Sequence, residues 1–491
     1  MDTAAHPEAV WRLETAPRAA VFVDVADYLA AAKAAMSRAT RSIHFLNWAF
    51  EPRTRFKPEP GGGGSADDEI GHFLKRLATD NPALDVRVLC WKSALPVAAT
   101  QGFFPLQDRR WFEGSAVKFV LDGKLPFGAC HHQKMIVIDD ALAFCGGADI
   151  GPDRWDTPAH CDDDPRRLKD GRHKASYNSR HEVMCLVDGA PAATLGELFR
   201  ARWRRATGET IAKPLPVAPA WPDDVAPALT DVRVGVSRTA AHWRGEEGSR
   251  ETLDLSLASI AAARRCIYLE NQYFTSPVVA RALAARLQEP EGPEVVLIST
   301  QRSPSWFDHL TMDRTRSNFI RTLQDADHHG RFRIYSPVTT LGRIIIVHAK
   351  FAIIDDDFLR VGSANMNNRS TGFDTECDVA FFAGDSAANR EMIAGLRVRL
   401  VAHWLGCANE TAQAAIESEG SLGGAIEALR ATGHVRLRPI PTVPLGPAST
   451  AIAALHIGDP LTPADSFQPW KRPKLLSEAV AGLRLAKSSC P

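Results

Sequence analysis

The chain has 491 residues, 45% of them hydrophobic and 24% charged, an ordinary globular composition with length for two cores. Lys plus Arg and Asp plus Glu both number 58, so the broad basic footprint of a nucleic-acid-binding chain is missing. Met1 to Ala20 lacks the apolar run of a signal peptide, and no apolar stretch approaches the ~18 residues of a membrane span. Nine cysteines with no CxxC pair fit free thiols in a reducing compartment, and Cys145, Cys185 and Cys266 lie in apolar stretches as core residues.

In chain order the sequence reads as one pattern written twice. Each copy opens with a helical stretch and an apolar strand ending in Asn and an aromatic, Ile43 to Phe50 and Ile267 to Phe274. Further strands follow at Val86 to Cys90 and Val117 to Leu121, matched by Val295 to Ser299 and Phe332 to Tyr335. Then come His-x-Lys, an apolar run, Asp and a Gly-rich turn, Gly146-Gly147 or Gly362-Ser363. A basic, tryptophan-bearing helix closes each copy, Leu198 to Arg205 and Leu396 to Trp404. Gly61 to Gly64 reads as a flexible loop, and Ile211 to Leu229, rich in proline and alanine, as a surface linker. The expected division is a first half over 18–210, a linker over 211–235, a second half over 236–408 and an extension over 409–491, in which Ala412 to Thr432 is helical. Strands alternating with helices give an α/β class, two layered halves about a pseudo-twofold axis.

The two units are His132-Gln133-Lys134 followed by Met135 to Asp139, and His348-Ala349-Lys350 followed by Phe351 to Asp355. Side chains two apart on a strand share a face, so each His and its Lys project together. Asp139 and Asp355 fall at the opposite parity, better placed to hold the scaffold than to touch substrate. His131 has no counterpart in the second copy and reads as structural. Two lysines and an amide suit the spread charge of a phosphodiester in its transition state. One imidazole can attack phosphorus while the other protonates the leaving alkoxide and then activates water or an alcohol. Such chemistry calls for no cofactor and no metal, and no Cys/His set with zinc spacing is visible. Asp162 to Asp164 and His328-His329 read as solvated loops.

At these residues the sequence resembles the phospholipase D superfamily, whose His-x-Lys-x4-Asp-x6-Gly-Gly/Ser pattern both units fit. The second continues as Gly362-Ser363-Ala364-Asn365-Met366-Asn367-Asn368-Arg369-Ser370. The first continues through Asp149 to Arg154-Trp155-Asp156-Thr157, the version found in eukaryotic phospholipase D. The resemblance implies two phospholipase D-like α/β/α sandwich halves with the active site at their interface. It implies His132 as nucleophile, His348 as general acid and base, and Lys134, Lys350 and Asn365 as phosphate ligands. Glu376 and Glu182 become carboxylates that hold the histidines from the opposite half, Glu182 with the weaker claim. Asp149 stands where the simpler pattern has Asn and is expected to point away, leaving Asn365 as the one amide donor.

The implied activity is hydrolysis or transfer of a phospholipid head group through a phosphohistidine. A cardiolipin synthase-like phosphatidyltransferase and a nuclease or other non-lipid phosphodiesterase are the alternatives, and a silent lipid-binding scaffold comes last. The implied partners are a phospholipid at a membrane surface and a water or alcohol acceptor, with no stable nucleic-acid partner. The implied setting is a cytoplasmic monomer with peripheral membrane contact. Phe103-Phe104-Pro105, Trp306-Phe307 and the basic helix Arg200 to Arg205 are candidate lipid contacts.

Overall fold

The computed structural model describes residues 9–93, 104–169, 175–303, 305, 308–442, 458–460 and 462. Phe103, Trp306, Phe307 and most of the expected tail after residue 442 lie outside them.

The first half supplies strands β1 (Arg12–Val23), β2 (Ser42–Asn47), β3 (Asp85–Trp91), β4 (Lys118–Asp122), β5 (Met135–Ile138), β6 (Leu142–Gly146) and β7 (Val183–Asp188). The second supplies β8 (Leu229–Ala240), β9 (Cys266–Asn271), β10 (Glu294–Ile298), β11 (Phe332–Pro337), β12 (Lys350–Ile354), β13 (Phe358–Gly362) and β14 (Glu376–Phe382). A short β15 (Leu437–Pro439) is added at one edge. All belong to one sheet in the order β15-β11-β10-β9-β12-β13-β14-β8-β1-β7-β6-β5-β2-β3-β4. Outward from the central β1–β8 pair, each half runs first, seventh, sixth, fifth, second, third and fourth strand. The duplication read in the sequence is therefore a duplication of topology, and the pseudo-twofold axis passes between β1 and β8.

These two strands were not expected. β1 carries Pro17 and several charged residues, a poor strand pattern. The ladder tolerates the proline by skipping it: Ala16 pairs with Val232 and Arg18 with Thr230, while Asp231 takes φ 46 between them. β8 begins at Leu229, inside the stretch read as linker, so the linker's final residues are the first strand of the second half.

Side-chain parity sorts the strands into three cores. Ile136, Ile138, Leu142 and Phe144 face outward with Leu29 of helix α1 (Val25–Met36) and Phe73 of α2 (Ile70–Asp80). Ala352, Ile354 and Phe358 do the same in the second half, with Leu253 of α5 (Glu251–Ala262) and Leu283 of α6 (Pro277–Gln288). Here α3 is Pro105–Trp111 and α4 is Ala190–Thr207. The opposite parity, Met135, Val137 and Cys145 with Phe351, Ile353 and Cys377, enters one core shared by both halves. Trp203 of α4 and Trp404 of α8 (Ala387–Leu405) complete it, each 1% exposed, with α7 at Arg314–Ala326. The class is α/β as expected, with a shared middle layer and one continuous sheet. The helical expectation at Ala412 to Thr432 becomes two helices, α9 (Asn409–Glu419) and α10 (Leu422–Ala431), broken at Gly420, whose φ of 64 favours glycine.

Asp139 and Asp355 act as scaffold residues. Asp139 Oδ1 accepts from the backbone N–H of Arg41 and Ser42, both at 2.7 Å, and Oδ2 from that of Thr40 at 2.9 Å. Asp355 repeats this on Arg264, Arg265 and Cys266 at 2.8–2.9 Å. Each aspartate thus closes the turn that delivers α1 to β2, or α5 to β9. Replacing Asp139 by Ala leaves three donors without their acceptor and should cost about 3 kcal/mol of unfolding free energy. Urea titration measures this; a loss under about 0.5 kcal/mol would remove the scaffold role.

Candidate active site

The two His-x-Lys segments meet because each pairs with backbone from the other half. The His132 N–H donates to Thr375 O at 2.9 Å, immediately before β14. Symmetrically, the His348 N–H donates to His181 O at 2.8 Å, with Glu182 between that residue and the start of β7. This crossing places the next residue of each acceptor strand against the opposite imidazole. His132 Nδ1 lies 3.1 and 3.0 Å from Glu376 Oε1 and Oε2. His348 Nδ1 lies 2.7 Å from Glu182 Oε1, a close contact out of line with a hydrogen bond. Glu182 and Glu376 are fully buried and occupy equivalent positions in the repeat. Glu376 is further gripped by the hydroxyls of Ser363 at 2.5 Å and Ser370 at 2.6 Å.

The lysines are equally symmetric. Lys134 Nζ donates to His132 O at 2.7 Å, and Lys350 Nζ donates to His348 O. The motif glycines leave room for this approach: a Cβ on Gly147 would stand 2.8 Å from Glu182 Oε2 and 3.5 Å from Lys350 Cδ. At the equivalent positions 149 and 365 the halves diverge. Asp149 does not point away: its Oδ1 accepts from the Trp48 and Ala49 N–H groups, and its Oδ2 lies 3.5 Å from Lys134 Nζ. Asn365 is buried, with an Oδ1 that accepts no hydrogen bond among the described residues.

Burial is the main electrostatic force here. It holds both imidazoles well below their usual range, helped at His132 by Lys134 and Lys350. At His348 the helpers are Lys350, Arg180, Arg154 and Lys134. Burial also brings Lys350 down to about 7, with Glu182 opposing and Lys134 assisting. Burial pushes Glu376 up to about 8 against the pull of Lys134 and the two serine hydroxyls. The site thus offers two uncharged imidazoles among several cations, an arrangement suited to an anionic ligand.

Of the expected residues, His132, Lys134, His348, Lys350, Glu182, Glu376 and Asn365 gather here, while Asp139 and Asp355 anchor turns instead. The sequence reading missed Asp153 and Arg180. Asp153 accepts from Arg154 Nη1 at 2.6 Å and lies 3.4 Å from Arg180 Nη2, and both guanidiniums act on His348. Arg180 had one available signal, its place two residues before Glu182. His131 is structural as read, bracketed by Asp122 at 2.7 Å and Thr375 at 3.0 Å. The basic helix is mostly occupied: Arg202 is buried on Asp122 and Gln133, Arg200 pairs with Asp140 and Arg205 with the exposed Glu246, which leaves Arg204 as its exposed arginine. Asp162 fastens Thr339 and Leu341 of the second half, whereas Asp163 is exposed as read and pairs with Arg343 at the surface.

The raised Glu376 carboxyl has a stability consequence. Between pH 4.5 and about 8 the folded chain holds a proton that the unfolded chain has released, so stability from this group falls as pH rises. Relative to Glu376→Gln, the wild type should lose unfolding free energy between pH 5.5 and 8.5 in urea titrations. Parallel pH profiles for the two proteins would show that Glu376 is not perturbed.

Residues 257–394, which contain the second His-x-Lys unit, Asn365 and Glu376, match the family described as "Cardiolipin synthase, PLD-like domain". The chain is 24% identical over 433 residues to "Phospholipase D A" of Dictyostelium discoideum, covering 74% of this chain and 33% of that protein. It is 23% identical to "Phospholipase D alpha 1" of Carica papaya, covering 77% of this chain and 63% of that one. The chain thus spans a third to under two thirds of the length of these curated relatives. The fold is similar to that of phosphatidylserine synthase from Haemophilus influenzae Rd KW20, with a TM-score of 0.55 at 13% identity over 86% of this chain and 96% of that one. These matches, with the repeated topology and the paired His-x-Lys motifs, support membership of the phospholipase D superfamily.

Proposed function

We propose that the protein is a phospholipase D-type phosphodiesterase that hydrolyses or exchanges a phospholipid head group through a phosphohistidine. The observation that carries this reading is the crossed pair of contacts, His132 on Glu376 and His348 on Glu182, with two lysines between. Glu376 accepts the Nδ1 proton of His132 and leaves its Nε2 lone pair for attack on phosphorus. As the P–O bond to the head group breaks, His348 gives its proton to the leaving oxygen. It then takes one from water or an alcohol, whose oxygen attacks phosphorus and breaks the P–N bond.

The low proton affinity of both imidazoles suits the first role and opposes the second. An entering phosphodiester anion resolves the conflict, since its charge offsets the field of Lys350, Arg180 and Arg154 and lets His348 protonate. The same anion would be held by Lys134, Lys350 and Asn365.

A lipid substrate is supported by the names of the relatives and the fold neighbour. Peripheral contact with a membrane is supported by Phe104, Leu106 and Phe127, exposed at 46, 44 and 82% in the stretch leading to His132. No helix among the described residues is long and apolar enough to cross a membrane. The family description at residues 257–394 favours one second reading, phosphatidyl transfer to a lipid alcohol.

Vesicles of phosphatidylcholine or phosphatidylglycerol, offered with and without ethanol, test the substrate. Phosphatidic acid and phosphatidylethanol are the expected products; cleavage of single-stranded DNA with no lipid turnover would move the reading to a non-lipid phosphodiesterase. His132→Ala should lower turnover by about a thousandfold or more and abolish the acid-labile phosphoryl label on the chain. Glu182→Gln should lower kcat by about a hundredfold with little change in KM. Equal loss from both terms would mean that Glu182 serves binding instead of the proton-transfer imidazole.

A further inference from the structure

Behind the site, Asp24, His160, His181 and His403 converge in the interior. One donor atom from each lies within 4.8 Å of all the others. They come from four places: Asp24 from the β1–α1 junction, His160 from the loop after β6, His181 from the lead into β7, and His403 from the last turn of α8. Asp24, His160 and His181 are at most 1% exposed. Asp24 Oδ2, His160 Nε2 and His403 Nε2 are buried with no hydrogen-bond partner among the described residues, an unusual concentration of unsatisfied polar atoms.

We propose that these four residues form a structural zinc site. The three rings stand 5.1, 5.8 and 6.2 Å apart between centroids. Three imidazoles bound to one tetrahedral zinc have centroids about 5 Å apart, so little adjustment is needed. His160 Nε2 and Asp24 Oδ2 are 3.5 Å apart, close to the edge of a zinc tetrahedron, about 3.3 Å.

The surroundings are those of metal-bound imidazoles. With Nε2 of His160 turned to the cluster, its Nδ1 meets Asp156 Oδ2 at 2.9 Å. With Nδ1 of His181 turned to Asp24, its Nε2 meets Glu270 Oε2 at 2.7 Å. Each of these two rings therefore has a carboxylate that fixes its tautomer and raises its basicity, the usual partner behind a zinc ligand. Asp156 is in turn held by Arg167 at 3.1 Å, and Glu270 by Tyr268 at 2.5 Å and Trp404 at 2.9 Å.

Charge points the same way. Asp24, Asp156 and Glu270 bring three buried carboxylates to the cluster, with Arg167 as the guanidinium on Asp156. A divalent cation bound between them would offset that excess of carboxylates. Imidazoles with one carboxylate suit a borderline ion, and a closed tetrahedral set suits zinc over calcium or magnesium, which take mainly oxygen ligands. Asp24 also takes φ 70, a left-handed backbone that a non-glycine residue keeps only when its surroundings compel it.

The consequence reaches the active site. His181 O receives the His348 N–H, and Glu182, the next residue, contacts His348 Nδ1. Zinc here would clamp the last helix of the second half to the segment of the first half that carries Glu182.

The test uses the full chain. After exhaustive dialysis, elemental analysis should find about one zinc per chain. The dipicolinate-stripped chain should rebind Zn²⁺ in competition with a chromophoric chelator, and Co²⁺ in its place should give tetrahedral ligand-field bands. His403→Gln and Asp24→Asn should each weaken Zn²⁺ binding by at least about tenfold, whereas His132→Asn should leave it unchanged. Failure of the folded wild type to bind Zn²⁺ below about 10 µM overturns the proposal without reference to any variant. So does zinc that persists in a chain carrying both His403→Gln and Asp24→Asn, or that is lost with His132→Asn, which would put the ion in the active site.

Discussion

Everything at the site depends on one exchange: each half lends the other the carboxylate that faces its histidine. The exchange is enforced by backbone. His132 and His348 each donate an N–H to the residue immediately before the lent glutamate, so the carboxylates cannot be withdrawn without breaking the strand pairing. Neither half alone could bury Glu182 or Glu376, since an isolated carboxylate in an apolar interior is costly unless it is paired or protonated. The continuous sheet follows from the same constraint. The β1–β8 pair and the shared core of Trp203, Trp404 and both His-x-Lys strands hold the halves in the one relation that closes the site.

Burial has a second effect that works with the first. The site gathers two lysines and two arginines around imidazoles with little water, and the cheapest response is to keep protons off the histidines and off Lys350. Such a site is poised, because Lys350 and Glu376 sit near a change of protonation state, and an anion arriving from outside would shift the balance. The cations need not be paired within the protein to this extent if the missing charge belongs to a ligand.

The sequence made the site more legible than the scaffold. His132, Lys134, His348 and Lys350 stand out because a motif repeated in a repeated context is visible without any structure. Glu182 and Glu376 were reachable only through family likeness, since nothing local to them says which histidine they face. β1 and β8, the strands on which the architecture turns, were hidden: Pro17 and charged residues break the alternation in one, and the other begins inside a proline-rich stretch. The tertiary pairing that makes them strands is not written in their own periodicity. Arg200, Arg202 and Arg205 misled for the converse reason, since a helix face rich in arginine looks like a lipid contact until Asp122, Asp140 and Glu246 are brought to it. The Asp24, His160, His181 and His403 cluster is the extreme case, with ligands scattered over most of the chain and no spacing to notice.

The departures from symmetry are as informative as the symmetry. A duplicated site supplies two equivalent histidines, yet a displacement at phosphorus asks different things of them. On the first side, Glu376 touches His132 through both oxygens and is itself fixed by Ser363 and Ser370, so that imidazole is aimed. On the second, Glu182 makes one off-line contact with His348 and has neither serine, because Gly147 stands where Ser363 stands in the other half. His348 instead has Arg154 and Arg180 nearby, which make its proton easy to give once one is present. A nucleophile gains from fixed direction, whereas a group that shuttles a proton between two oxygens gains from tolerance and tuned acidity. The substitutions that separate the halves thus fall where two different roles would require them, and they favour His132 as nucleophile on grounds independent of family likeness.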